Sequence, residues 1–286
     1  MFRLDEDQPE KPDQSKQTAQ SDQPEKPDQS KQTAESDQPT DAASHSATGV
    51  LEEDAVVLVE TSLSPYLVLF HEPTGYRAEQ IRGLRNKLIA MNPDGSSKTL
   101  VVTSAQAGEG KTTTAINLAM AFAERERTPV ILVDADMRSP SVESHLQINL
   151  EAGLSEALLG SAPLEQVIRP SGIHNLDVLG AGGRLAVPSE ILTSHRIEEL
   201  FNRLKERYQY VIVDTPAIKP VTDGTVLSAC ADGTLLVVRL LHTSKSQSKD
   251  TIRTLSELGA NLLGTFVTAV RGDDVQKYGS TTWEGD

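Results

Sequence analysis

The sequence predicts an α/β fold of three layers, α/β/α, around a mostly parallel central sheet. Three observations predict it. From about residue 97, short β-branched runs alternate with helical stretches, the pattern of βαβ units. Several of those runs are continuously apolar, as strands buried on both faces are. The first run opens onto a glycine-rich turn and then a helix.

The elements follow in order. Residues 74–91 read as a helix with a charged face, stopped by Asn92-Pro93-Asp94-Gly95. Residues 99–103 are a strand. Residues 111–126 carry Ala115, Leu118, Ala119 and Phe122 at helical spacing. Residues 129–134 are an apolar strand. A less regular middle follows, and then a short strand at 176–179. Residues 189–208 read as one helix with Glu198, Glu199, Arg203 and Lys205 on its wet side. Residues 211–214 form a strand, 221–231 a helix and 234–239 a strand. A helix over 244–258 is ended by Gly259. The last strand is 262–270.

The first residues stand apart. Asp7 to Ser21 reads DQPEKPDQSKQTAQS, and Asp22 to Ser36 repeats it with Glu35 in place of Gln20. Stacked copies would bury no large apolar residue, so a disordered tail is expected rather than a solenoid. The expected organisation is a repeat-containing tail at 1–49 and a segment with the charged helix at 50–96. A core at 97–271 and a short polar tail at 272–286 complete it.

Composition excludes several classes of function. The net charge is −14, which opposes non-specific binding to nucleic acid or to an anionic membrane surface. The single cysteine, Cys230, permits no intramolecular disulfide, and six scattered histidines give no metal-ligand spacing. The most apolar stretch, 55–70, is broken by Glu60, Ser62, Ser64 and Pro65. No direct membrane insertion is expected. Any membrane association would come through a partner, and a reducing cytoplasm fits the composition.

The glycine-rich turn is Ala105-Gln106-Ala107-Gly108-Glu109-Gly110-Lys111-Thr112. Between a strand and a helix it reads as a phosphate-binding loop (P-loop), and the fold as a P-loop NTPase. Glycines let successive N–H groups turn toward phosphate oxygens, and the helix N-terminus adds partial positive charge. Gly108, Glu109, Gly110, Lys111, Thr112 and Thr113 are the expected nucleotide contacts. Lys111 reaches the β/γ-phosphates, the Thr112 hydroxyl ligates Mg²⁺, and Thr113 touches the α-phosphate.

Such a loop needs a carboxylate at the end of a neighbouring strand to hold Mg²⁺. Asp214, after four apolar residues and before Thr215-Pro216, fits. Asp134 and Asp136 form a second acidic strand end. At i and i+2 of an extended strand they point the same way, and two carboxylates side by side repel unless a cation or a basic group sits between them. Asp136 is expected in the metal shell and Asp134 as a proton acceptor.

At these residues the chain resembles the bacterial tyrosine kinases (BY-kinases) that regulate export of capsular polysaccharide and exopolysaccharide. The likeness rests on Gly108-Glu109-Gly110-Lys111-Thr112, on Asp134-Ala135-Asp136-Met137-Arg138 and on Val211 to Pro216. It runs from about Pro65 to Val270. The resemblance implies an ATP- and Mg²⁺-dependent protein tyrosine autokinase, acting in trans within a ring-shaped homo-oligomer. It also implies that Glu79, Arg82 and Arg85, an Glu-x-x-Arg-x-x-Arg segment, form the oligomer interface. It resembles the split form of the family, recruited to the inner face of the membrane by a separate membrane-embedded polysaccharide co-polymerase that activates it.

The chain departs from the family pattern at its end. In place of a tyrosine cluster there is Tyr278 alone, the expected phosphoacceptor. Tyr66, Tyr76, Tyr208 and Tyr210 lie in or beside expected elements and are expected to be less accessible. Two other functions remain open from the residues. A Min/Par-type ATPase switch usually has a second lysine five residues before the loop lysine, where this chain has Gln106. A regulator that uses ATP only to assemble would need no tyrosine cluster.

Overall fold

The computed structural model describes residues 63–270 apart from 186 and 220. The repeat tail at 1–49, Tyr278 and the segment 272–286 lie outside the described residues. Among those described, the elements in chain order are α1 (Val68–His71), α2 (Tyr76–Ala90), β1 (Lys98–Ser104), α3 (Lys111–Ala123), β2 (Val130–Asp134) and α4 (Val142–Leu146). Then come α5 (Leu154–Leu159), α6 (Leu164–Val167), β3 (Ile168–Pro170), β4 (Leu176–Leu179), α7 (Ser194–Lys205) and β5 (Tyr210–Asp214). The chain continues with α8 (Asp223–Cys230), β6 (Gly233–Arg239), α9 (Lys245–Glu257) and β7 (Leu262–Thr268).

The strands form one sheet in the order β3-β4-β2-β5-β1-β6-β7. Every pairing is parallel except β3 with β4. Strand β3 is three residues long and ends in Pro170, at the sheet edge where a missing N–H costs least. The alternation of side chains across the sheet divides the core in two. Leu100, Leu132 and Ile212 pack on one side with α2 and α3, while Val101, Ile131, Val133, Val211 and Val213 pack on the other with α7 and α8. Burial on both faces is why these strands read as unbroken apolar runs.

Helix α3 is buried along nearly its whole length, because β1, β2 and β5 lie beneath it and α2 lies over it. Phe122 near its end stacks on Tyr210 at 4.0 Å between ring centroids. This contact fixes the start of β5 against α3.

The expected helix over 189–208 is two elements. A 3₁₀ turn at Pro188–Glu190 is followed by α7 from Ser194, with Thr193 extended between them. Ile191 and Leu192 are consecutive and both buried. The middle, irregular in sequence, holds α4, α5, α6 and β3. Helices of four to six residues are too short to show a 3.6-residue period. Helix α1, also four residues long, escaped for the same reason.

Phe122→Ala removes a fully buried ring from the α3–β5 contact. It is expected to cost about 3–5 kcal/mol, read as a fall in the denaturant midpoint with little change in slope.

Candidate functional site

Parallel pairing sets the site. Strand β5 lies between β1 and β2, and its register aligns Asp214 with Val102 on one side and with Asp134 on the other. The loop after β1 therefore arches over the end of β5, where Asp214 and Asp134 stand on adjacent strands. This is the carboxyl edge of the sheet, where open α/β folds bind their ligands.

The loop is shaped by two left-handed glycines, Gly108 at φ 79° and Gly110 at φ 92°. A side chain at either position would be strained. Gly110 caps α3, and its carbonyl accepts the Thr114 N–H at 2.9 Å. Glu109, between the glycines, is fully buried. One of its carboxylate oxygens accepts the N–H groups of Ala105 at 2.9 Å and Gln106 at 3.2 Å. The other accepts the hydroxyl of Thr243. Thr268 donates to the Glu109 carbonyl at 2.7 Å, and Arg239 donates to the Gly108 carbonyl at 2.9 Å. The Glu109 side chain is thus an internal brace that ties the loop to the ends of β6 and β7. The sequence placed Glu109 among the nucleotide contacts without distinguishing backbone from side chain. Nothing local in the motif signals Thr243, Thr268 or Arg239, which lie more than a hundred residues on.

Lys111 Nζ lies 3.4 Å from Asp136 Oδ2, with both side chains mostly buried. Thr112 accepts the hydroxyl of Ser141 at 3.2 Å, so the starts of α3 and α4 meet at the position expected for Mg²⁺. Ser141 was not singled out in the sequence.

The two aspartates of the second acidic strand end lie close together, one on the strand and one in the turn after it. Strand β2 ends at Asp134, and Asp136 lies in the turn beyond it, donating its N–H to Asp134 Oδ1 at 3.1 Å. Asp134 Oδ2 accepts the N–H groups of Ser141 and Val142, both at 3.0 Å. Backbone donors thus hold Asp134, while the Lys111 ammonium stands beside Asp136. Burial pushes its pKa up to about 6, and the three N–H groups only partly offset that.

Asp214 is fully buried, and neither carboxylate oxygen has an aligned hydrogen-bond donor. Burial first, and the charge of Asp134 second, hold its carboxyl well above the usual range. Thr112 and Lys111 stand close enough to draw it back in part. A buried carboxylate without a donor is costly, and a cation or its bound water beside Thr112 would relieve it. Among the described residues no three His, Cys, Asp or Glu side chains gather to cage a metal. A Mg²⁺ site completed by phosphate oxygens and water needs no such cage, so the donor set fits that ion.

Arg138, in the turn after Asp136, is held by Asp223 through contacts of 2.7 and 3.3 Å. Asp223 is 2% exposed, and the pair raises the Arg138 pKa. It locks the turn carrying Asp136 to the start of α8.

The Glu79, Arg82 and Arg85 set finds partners inside the chain. Arg82 pairs with Glu79 at 2.6 Å and forks onto Glu124, at the end of α3, at 2.5 and 2.9 Å. Arg85 reaches Glu124 at 3.0 Å and the Ala121 carbonyl at 2.8 Å. The hydrogen bond to Glu124 is the main reason the Arg82 pKa is raised, and Arg82 in turn lowers that of Glu124. Of the three, only Glu79 is well exposed, at 61%.

The expectation that Tyr66, Tyr76, Tyr208 and Tyr210 are alike inaccessible holds for two of them. Tyr208 and Tyr210 are buried, but Tyr66 and Tyr76 are 64% and 61% exposed. Both line a groove of ≈ 1320 Å³ that also contains Lys111, Thr112 and Ser141. Flanking an element in sequence does not fix which way a ring faces.

Comparison with known proteins agrees with this geometry. Residues 97–262 match a family model described as an AAA domain, AAA_31. The tyrosine-protein kinase YwqD of Bacillus subtilis (strain 168) is 34% identical over 74% of this chain and 90% of its own length. The kinase domain of the Escherichia coli tyrosine kinase ETK superimposes with a TM-score of 0.68, at 28% identity, over 77% of this chain and 84% of its own. The chimerical protein CapA2B2 gives a TM-score of 0.66 at 33% identity, over 71% and 88%.

The brace gives a test. Glu109→Ala leaves two loop N–H groups without an acceptor and is expected to weaken nucleotide binding by about ten- to a hundredfold. Glu109→Gln keeps an acceptor oxygen and is expected to cost less. Calorimetric titration with ATP-Mg²⁺ measures both.

Proposed function

This chain belongs to the bacterial tyrosine kinases, and on that premise we propose that it is an ATP-dependent autokinase that phosphorylates Tyr278 in trans within a homo-oligomer. By the same resemblance its activity regulates synthesis and export of an exopolysaccharide or capsule. The observation that carries the reading is the fully buried Asp214 beside Thr112, without an aligned backbone donor and beneath a loop braced for a triphosphate.

The loop N–H groups and the start of α3 bind the phosphates and orient the γ-phosphoryl group. Lys111 neutralises charge on it, and Asp136 keeps that ammonium in place. Thr112 and Asp214, with Asp136, would hold Mg²⁺, which when bound offsets negative charge on the phosphoryl group. Asp134, with a pKa raised to about 6, is the carboxylate suited to take the proton of an attacking tyrosine hydroxyl near neutral pH. Its three backbone donors fix its orientation. Most of the rate enhancement then comes from positioning and electrostatics.

Kinship and Gln106 both count against the Min/Par-type switch. The Gln106 N–H is tied to Glu109, and its side chain carries no charge to reach across a dimer. The assembly regulator without kinase activity is not favoured by relatives that are named kinases.

Among the described residues no helix is long and apolar enough to cross a membrane. Recruitment by a membrane-embedded co-polymerase therefore accompanies the reading as part of the family resemblance. Assembly through α2 would use Glu79 first, since Arg82 and Arg85 are held by Glu124 within the chain.

Incubation with ATP-Mg²⁺, with and without the cytoplasmic segment of the membrane partner, is expected to yield phosphotyrosine at Tyr278 by mass spectrometry. Lys111→Met and Asp134→Asn should abolish it. ATP hydrolysis without phosphotyrosine would reject the kinase reading in favour of the switch. Glu79→Ala separates assembly from folding. It should shift sedimentation toward smaller species while changing stability by less than about 1 kcal/mol, because an exposed pair contributes little. Unchanged sedimentation would remove α2 from the interface.

A further inference from the structure

The sequence offers Tyr278 as an acceptor, but the structure places a second phenol on the groove that contains the phosphate loop. Four of the five tyrosines lie among the described residues. Two of them are spent on packing. The Tyr208 hydroxyl donates to Asp177 at 2.7 Å, and burial raises its pKa further. Tyr210 is stacked beneath Phe122. Neither can meet a phosphoryl donor without unfolding the core.

Tyr66 is placed differently. Its backbone carbonyl accepts the Asn117 side-chain amide at 2.9 Å, and the same amide nitrogen donates to the Thr113 carbonyl at 2.7 Å. Two residues earlier, the Ser64 N–H donates to the His145 carbonyl of α4 at 3.1 Å. The segment 64–66 therefore straddles α3 and α4. These are the two helices whose starts meet through Ser141 and Thr112 at the phosphate loop. The next residue, Leu67, is fully buried and anchors the segment in the core. The Tyr66 ring, by contrast, is 64% exposed and lines the groove that holds Lys111 and Thr112. A backbone tied to both helices thus presents an exposed phenol to the groove that also holds the phosphate loop.

We propose that Tyr66 is an autophosphorylation site of this chain, separate from the C-terminal tail. It rests on the kinase reading above and names a substrate residue for it. In the step, the Tyr66 hydroxyl oxygen forms a bond to the γ-phosphorus of ATP. The bond from that phosphorus to the β,γ-bridging oxygen breaks, ADP leaves, and the phenolic proton passes to a carboxylate or water. Tyr76 is equally exposed and lines the same groove, but it opens α2, which Arg82 and Arg85 tie to the finish of α3 at Ala121 and Glu124 and not to its start. It serves as the internal control.

The experiment uses the full chain carrying Tyr278→Phe, incubated with ATP-Mg²⁺ and mapped by tandem mass spectrometry. Phosphotyrosine is expected at Tyr66, with loss of that signal when Tyr66→Phe or Lys111→Met is added. Tyr66→Phe removes only a hydroxyl from an exposed ring, and an unchanged melting temperature verifies that the fold is kept. Phosphotyrosine found at Tyr278 in the unmodified sequence but absent from the Tyr278→Phe chain overturns the inference and leaves the kinase reading intact. Phosphate on Tyr76 instead of Tyr66 also overturns it. ATP hydrolysis with no phosphotyrosine anywhere overturns both.

Discussion

Two carboxylates, Asp134 and Asp214, are buried on adjacent parallel strands, and the cost of burying them governs the site. Their register is set by β2 pairing with β5. Burial disfavours charge on both, so each needs compensation. Asp134 obtains it from three backbone N–H groups, and those bonds also fix the turn into α4. Asp214 has no backbone donor, and only the Thr112 hydroxyl and the Lys111 ammonium beside it offset its burial in part. The difference is one of compensation: Asp134 is oriented by the backbone around it, and Asp214 depends on the side chains of Thr112 and Lys111.

The phosphate loop faces a related problem. Its N–H groups must point at a ligand, so few are free to stabilise the loop itself. Glu109 resolves this from inside, accepting two N–H groups and a hydroxyl with one carboxylate. Through Thr243, Thr268 and Arg239 the loop is coupled to the ends of β6 and β7. Helix α2 is coupled to the same unit from the other end, where Arg82 and Arg85 grip Glu124 as α3 closes. Helix α3 is therefore held at its start by the loop and at its finish by an ion-pair cluster.

The legibility of each part followed the range of the interaction that made it. The strand–loop–helix order, the β5 carboxylate and the charged helix α2 were readable, because each is a local pattern of a few residues. The Asp134 and Asp136 pair was half readable. Both lie at the site, but β2 ends at Asp134 and Asp136 falls in the turn beyond it, and no i, i+2 rule anticipates a strand ending between them. The charges of α2 suggested a surface for a neighbour. Their partner, Glu124, lies about forty residues on in sequence, and nothing near α2 signals it. Ser141, Arg138 with Asp223, and the brace around Glu109 were missed for the same reason.

By itself the sequence determined the fold class, the phosphate loop and the identity of its acidic strand ends. Periodicity and motif spacing are properties of neighbouring residues, and neighbouring residues are what a sequence records. Only the tertiary structure decided how each charge is used: Asp134 held by backbone amides, Asp214 left without a backbone donor, and Arg82 and Arg85 turned inward onto Glu124. It also decided which tyrosines face the groove. Each of these outcomes depends on burial and on partners brought together by sheet pairing and helix packing, and those distances exist only once the chain has folded.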